Sequence, residues 1–198
     1  MTSMIYIKKY NSPEINLKEI FRYAGVREAD SETIALLKRC VTESFDILSY
    51  KVCYSRFPIK LDGDSLDLGF ARTSSHSLAV CLSECDEIIV FCATVGVDLD
   101  RLIKRYSITS PAVAVMLQAL GSERVEALCD EFCADIAKET GKSLRPRFSP
   151  GYGDLPLELQ KDIFACLNPG KIGVSLGENL FMTPSKTVTA IIGIKKEI

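Results

Sequence analysis

At 198 residues and 47% hydrophobic side chains, the chain has ample material for a buried core, which excludes a disulfide-held mini-protein and a disordered polymer. Its 24 basic and 26 acidic side chains leave a formal charge of -2, so there is no global attraction to nucleic acid or to an anionic membrane. The start, M-T-S-M-I-Y-I-K-K-Y, has no apolar leader core, and no run approaches the roughly 20 apolar residues of a spanning helix; the expectation is a cytoplasmic protein with no membrane partner.

In chain order, Ile5 and Ile7 alternate with Tyr6 and Lys8, which predicts a strand over 4–10. Asn16 caps a short helix with Leu17, Ile20, Phe21 and Ala24 inward, ended by Gly25. Asp30 or Ser31 opens a longer one whose inward stripe is Ile34, Leu37, Cys40, Val41, Phe45 and Leu48. Residues 50–61 alternate and meet the turn Asp62-Gly63-Asp64, with a second extended piece over 66–70; together they read as a hairpin. Residues 74–84 predict a short helix facing the core with Leu78, Val80, Cys81 and Leu82. The run E-I-I-V-F-C-A-T, 87–94, has the β-branched content and length of a strand buried on both faces. A helix over 97–106 follows.

Ser110 then Pro111 signals the start of the longest helix, with an N-cap residue and proline at the first helical position. Its stripe runs from Val113 through Leu117, Leu120, Val125, Leu128 and Phe132 to Ile136, and Gly141 ends it. Gly121 and Ser122 interrupt the pattern midway, which points to a close backbone approach, a kink or tolerance. The acids Glu123, Glu126, Asp130 and Glu131 read as mostly the solvated face. Pro156 starts a further helix closed by Asn168-Pro169-Gly170, and the tail is strand-like over 172–176, 180–183 and 187–194, with Glu178 between the first two.

Eight cysteines, including Cys92, sit mostly among apolar neighbours; they predict buried thiols rather than a metal site, since C-x-x-C spacing is absent and His76 is the only histidine. Cys81 and Cys85, like Cys129 and Cys133, are four apart and share a face where both lie on a helix. The fold class expected is mixed α+β, a central twisted and mostly antiparallel sheet flanked by helices, one of them long. A single domain over 1–198 is expected, with strand, helices and hairpin over 1–70 and a core over 86–194.

The segment R-F-S-P-G-Y-G-D-L-P, 147–156, stands apart: one cation, then prolines, glycines, an aromatic ring and an acid, with little to fill a core. Such a loop presents main-chain groups, with glycine allowing close approach, or is an ordinary connection between two helices. Arg147, Pro150, Gly151 and Tyr152 form R-x-x-P-G-Y, followed about 25 residues later by G-E-N-L-F-M-T-P-S-K-T-V-T-A-I-I-G, with Glu178, Phe181, Met182, Pro184, Val188 and Gly193. In order and distance these two motifs resemble the activation domain of cobalamin-dependent methionine synthase; the likeness spans roughly 88–193.

That resemblance implies binding of S-adenosylmethionine and its presentation to a cobalamin held by a partner, so that an inactive cobalt centre is reduced and remethylated with an external electron donor. Carried over residue by residue, Arg147 grips the ligand carboxylate; Pro150, Gly151 and Tyr152 shape the loop around the adenosyl part. Glu178 matches a family acid that touches the ligand or braces the loop, and Glu126 lies in the helix that bears an acidic ligand contact. No catalytic base and no metal ligand are expected, because the chain positions rather than transforms. The implied role is an accessory one beside a separate methionine synthase; the alternative is a docking module for a corrinoid protein without a small-molecule site.

Overall fold

The computed structural model describes residues 4–196. Four strands form one antiparallel sheet in the order β1 (Tyr6–Lys9), β2 (Lys51–Pro58), β6 (Cys85–Thr94), β9 (Thr187–Lys195). The predicted double-sided burial of the 87–94 run follows from this order, since β6 has a neighbour on each edge and helices over each face. Residues 143–148 continue the sheet beyond β9: Arg145 N–H donates to the Gly193 carbonyl, and Phe148 and Ile191 exchange both backbone bonds.

One face of the sheet carries α5 (Pro111–Thr140), with α1 (Leu17–Tyr23), α2 (Ser31–Ser44) and α4 (Asp98–Thr109) packed around it. The opposite face carries α3 (His76–Leu82), α6 (Leu159–Leu167) and a small sheet of β3 (Lys60–Asp62), β4 (Ser65–Asp67) and β5 (Arg72–Ser74). A two-stranded piece, β7 (Ser175–Leu176) with β8 (Met182–Thr183), precedes β9. The fold is thus the mixed α/β arrangement with a mostly antiparallel sheet and one long helix; no helix among the described residues is long and apolar enough to cross a membrane.

Local signals explain most boundaries. Asn16, Asp30 and Ser75 each accept a backbone N–H in the first turn of the helix they precede. Gly141 closes α5 at φ 66°, a left-handed turn that glycine adopts without strain. The helix runs unbroken through Gly121, where an added Cβ would lie 2.5 Å from Leu99 Cδ2 and 3.0 Å from Lys186 Cγ. Of the three readings of that glycine, close approach is the one realised: α4 and the start of β9 lean on the helix there.

Several expectations are corrected. The 50–61 strand divides at Pro58, which cannot donate to a ladder; β2 enters the main sheet, and the hairpin around Gly63 is β3 with β4. Ser110 occupies the N-cap position but its side chain makes no capping bond. Ile34, Phe45 and Val80 are 40%, 62% and 54% exposed, because α2 and α3 bury narrower stripes than the periodicity allows, centred on Leu37 and Cys40 in one and on Leu78 and Leu82 in the other. Cys81 and Cys85 share no helical face, since α3 stops at Leu82 and Cys85 begins β6.

Candidate functional site

The acids of α5 do not form one solvated face. Glu123 and Arg124 are 3% and 1% exposed. Arg124 donates from Nε and Nη2 to the two Glu123 oxygens at 2.5 and 2.6 Å, from Nη1 to the Pro13 carbonyl at 2.6 Å, and from Nη2 to the Glu14 carbonyl at 2.7 Å. Glu123 Oε1 also accepts the Asn16 N–H at 2.9 Å. Two charges taken out of water are tolerable here because they form a bidentate pair and further hydrogen bonds satisfy them. Their partners are main-chain groups of the segment between β1 and α1.

With the first turn of α1 that segment forms one wall, Ser12 to Glu19, of a cleft of about 960 Å³; the other wall is α5, with Glu126, Ala127, Asp130 and Glu131. Arg147 reaches two of these acids, Glu126 and Asp130, from the sheet edge. Between the bridges Leu144 to Ile194 and Phe148 to Ile191, the edge segment advances four residues against three on β9, a one-residue bulge that includes Pro146. Leu144 packs into the α5-side core and Phe148 into the opposite one, so the extra residue is what returns Arg147 to the α5 side. Its Nη2 lies 3.0 Å from Glu126 Oε2 and 2.9 Å from Asp130 Oδ1, while its Nη1 is buried with no hydrogen-bond partner.

Cys129 and Cys133 are close enough to feel this guanidinium's charge. Burial pushes the Cys133 thiol up to about 11 and that of Cys129 further, against the opposing pull of Arg147. Both stay protonated near neutral pH, so neither is a thiolate nucleophile or a ready metal ligand. Among the described residues no cluster of His, Cys, Asp or Glu is placed to hold a metal ion, and all eight cysteines are unpaired.

The Pro/Gly loop is tightly folded on itself. Pro150 is buried, Leu155 is 2% exposed, and Gly151 and Gly153 have φ of 88° and 55°. The Gly151 N–H donates to the Leu155 carbonyl, the Tyr152 N–H to Ser149, and the Leu155 N–H to Tyr152. Three of the main-chain donors that the composition offers are therefore used within the loop. Asp154 anchors the whole on the start of α3, accepting from Ser75 Oγ at 2.6 Å and from the His76 and Ser77 amides at 2.7 and 3.2 Å. The Ser75 hydroxyl first, then these amides, hold its carboxyl well below the usual carboxylate range. Tyr152 remains 70% exposed.

Of the six residues singled out from the sequence, Arg147 and Glu126 meet directly, and Pro150, Gly151 and Tyr152 belong to the loop that continues from Arg147. Glu178 is apart, exposed in the turn between β7 and β8, and among the described residues no hydrogen bond or ion pair joins it to the other five. That turn is tied to α6 through Gln160, which donates to Met182 Sδ and accepts from Thr189 Oγ1. Asp130 was legible only as a surface acid, and its service to Arg147 is new. Arg124 had a signal that the apolar stripe hides: it stands four residues after Leu120 and four before Leu128, on the buried line of the helix.

No family model matches the chain, and no curated protein matches it. Among solved structures it is similar to a crystal structure of the MetH reactivation domain bound to AdoHcy, at a TM-score of 0.73 and 14% identity, covering 99% of this chain and 80% of that one. At that identity the likeness is one of fold: this chain has the fold of a methionine synthase reactivation domain.

Proposed function

We propose that the chain binds S-adenosylmethionine, or its demethylated product, beside Arg147 and presents it to a corrinoid partner, supporting reductive remethylation of the cobalamin of a separate methionine synthase. The observation that carries this reading is the Arg147 guanidinium: one nitrogen on two α5 carboxylates, Glu126 and Asp130, that line a cleft of about 960 Å³, the other buried without a partner. An unpaired buried donor is costly to leave unmade, and a planar fork fits a carboxylate. Glu126 and Asp130 are acceptors for an ammonium group, and Pro150, Gly151 and Tyr152 shape the adjoining loop. Glu178 enters the reading as the acid of the second motif, on the β7–β8 turn. When bound, S-adenosylmethionine supplies a methyl group already activated on a sulfonium; the chain's own residues bind, orient and need abstract no proton. The fold of the AdoHcy-bound reactivation domain supports the same reading.

Isothermal calorimetry on the purified chain is the test. Binding of S-adenosylmethionine is expected, and Arg147→Ala abolishes it; no heat with or without a cobalamin-dependent synthase and a reductant sinks the proposal. A second reading, docking on a corrinoid protein without a small-molecule ligand, is favoured by one observation: Tyr152 and Phe181 are 70% and 73% exposed. Retention of the synthase on immobilised protein, unchanged by Arg147→Ala and by added S-adenosylmethionine, selects that reading.

A further inference from the structure

We infer that Glu123 and Arg124 are positioning residues of the ligand cleft, fixing the main chain of Ser12–Glu19 as its second wall. The inference rests on the ligand reading above. The two walls differ in kind. One is a 30-residue helix packed along its length, which cannot move without the core. The other begins as a connection, residues 11–15, between Tyr10, whose N–H still donates to the Tyr50 carbonyl, and the N-cap Asn16; within it only Ile15 packs partly against the core. Its ends are anchored by the Tyr10 hydroxyl on Asp135 and by buried Ile20 of α1, and its main chain is gripped by the buried pair: two carbonyls, of Pro13 and Glu14, are held by Arg124 and one amide, of Asn16, by Glu123.

Nothing about α5 itself requires charge at these two positions. Leu117, Leu120 and Leu128 fill the same stripe with apolar side chains, and an apolar pair would avoid the cost of burying ions. The pair does something leucine cannot: it grips main chain, and so sets where the Ser12–Glu19 wall stands relative to Glu126 and Asp130. A wall ordered in advance removes the entropic cost of ordering it when ligand enters. Loss of the grip therefore weakens binding by roughly 10-fold or more, with the deficit in the entropy of binding.

The test uses the full chain and S-adenosylmethionine, with amide hydrogen exchange and calorimetry on the same samples. In the wild type, ligand slows exchange of the Glu14–Glu19 amides. The double substitution Glu123→Leu with Arg124→Met removes the charges together, so no lone ion stays buried and the unfolding midpoint remains close to wild type. Its Glu14–Glu19 amides exchange faster without ligand, and its affinity falls by the stated factor. Faster exchange with unchanged affinity overturns the inference, as does unchanged exchange. Should the double variant fail to fold, the wild type decides alone: binding that is lost in Arg147→Ala but leaves the Glu14–Glu19 amides unprotected removes this inference and keeps the ligand site, whereas a wild type that binds nothing removes both.

Discussion

Two connections of this molecule, residues 12–16 and the loop 149–155, are each tied to a helix by charge, the first by the buried Glu123–Arg124 pair and the second by the Asp154 carboxylate, and they are fixed in opposite ways. Arg124 reaches outward from the interior of α5 and holds carbonyls; Asp154 reaches inward from the surface and holds a hydroxyl and two amides at the start of α3. Each contact set is made of charge-assisted hydrogen bonds of similar length. The difference is water. Arg124 is 1% exposed, so removing any member strands a charge, whereas Asp154 is exposed and its donors can turn to solvent. One clamp is thus integral to stability and the other a local adjustment.

The largest effect separating the two is Arg124→Met. It leaves the Glu123 carboxylate buried without its cation, and unfolding in urea should show a loss of about 3–5 kcal/mol. Adding Glu123→Leu should return most of that loss, because the penalty belongs to the orphaned charge and not to the missing bonds. A smaller effect comes from Gly121, on the same helix one turn earlier. Gly121→Val pushes into Leu99, which is fully buried, and into the Lys186 stem, for a loss of about 1–3 kcal/mol. Gly121→Ala costs less, since helix propensity returns roughly 1 kcal/mol against a smaller clash.

The same contrast explains what could be read from sequence. The strands β6 and β9, the caps Asn16 and Asp30, and the end of α5 at Gly141 depend on local chemistry, and local chemistry is written in consecutive residues. The loop containing Arg147, Gly151 and Tyr152 was legible for the same reason, through its glycines, prolines and lone cation. The partners of Arg147 were not, because a one-residue bulge at a sheet edge decides which face that side chain meets. Glu123 looked solvated because neighbouring acids on α5 are; only the arrival of residues 13–16, more than a hundred positions earlier in the chain, buries it. Asp154 could be seen as a loop acid, while its use as an external cap for α3 depends on a contact across 77 to 79 positions.

The smallest expected effect is that of the exposed clamp, and pH isolates it. The folded-state pKa of Asp154 is depressed, chiefly by the Ser75 hydroxyl, so its contribution is fully present above the unfolded carboxylate value of about 3.9 and is lost as pH falls below that, through the folded value. Asp154→Asn keeps one acceptor and carries no charge, and so lacks the titrating part. Wild type should therefore exceed the variant in stability by a constant margin at pH 5 to 7 and lose that margin only below about pH 4. Denaturant titrations of both proteins across this range measure it. A margin that persisted unchanged to low pH would mean that shape, not charge, holds the loop to α3. Faster amide exchange at His76 and Ser77 in the variant, with the Glu14 and Asn16 amides unaffected, would establish that the two clamps act independently on their separate sides of the sheet.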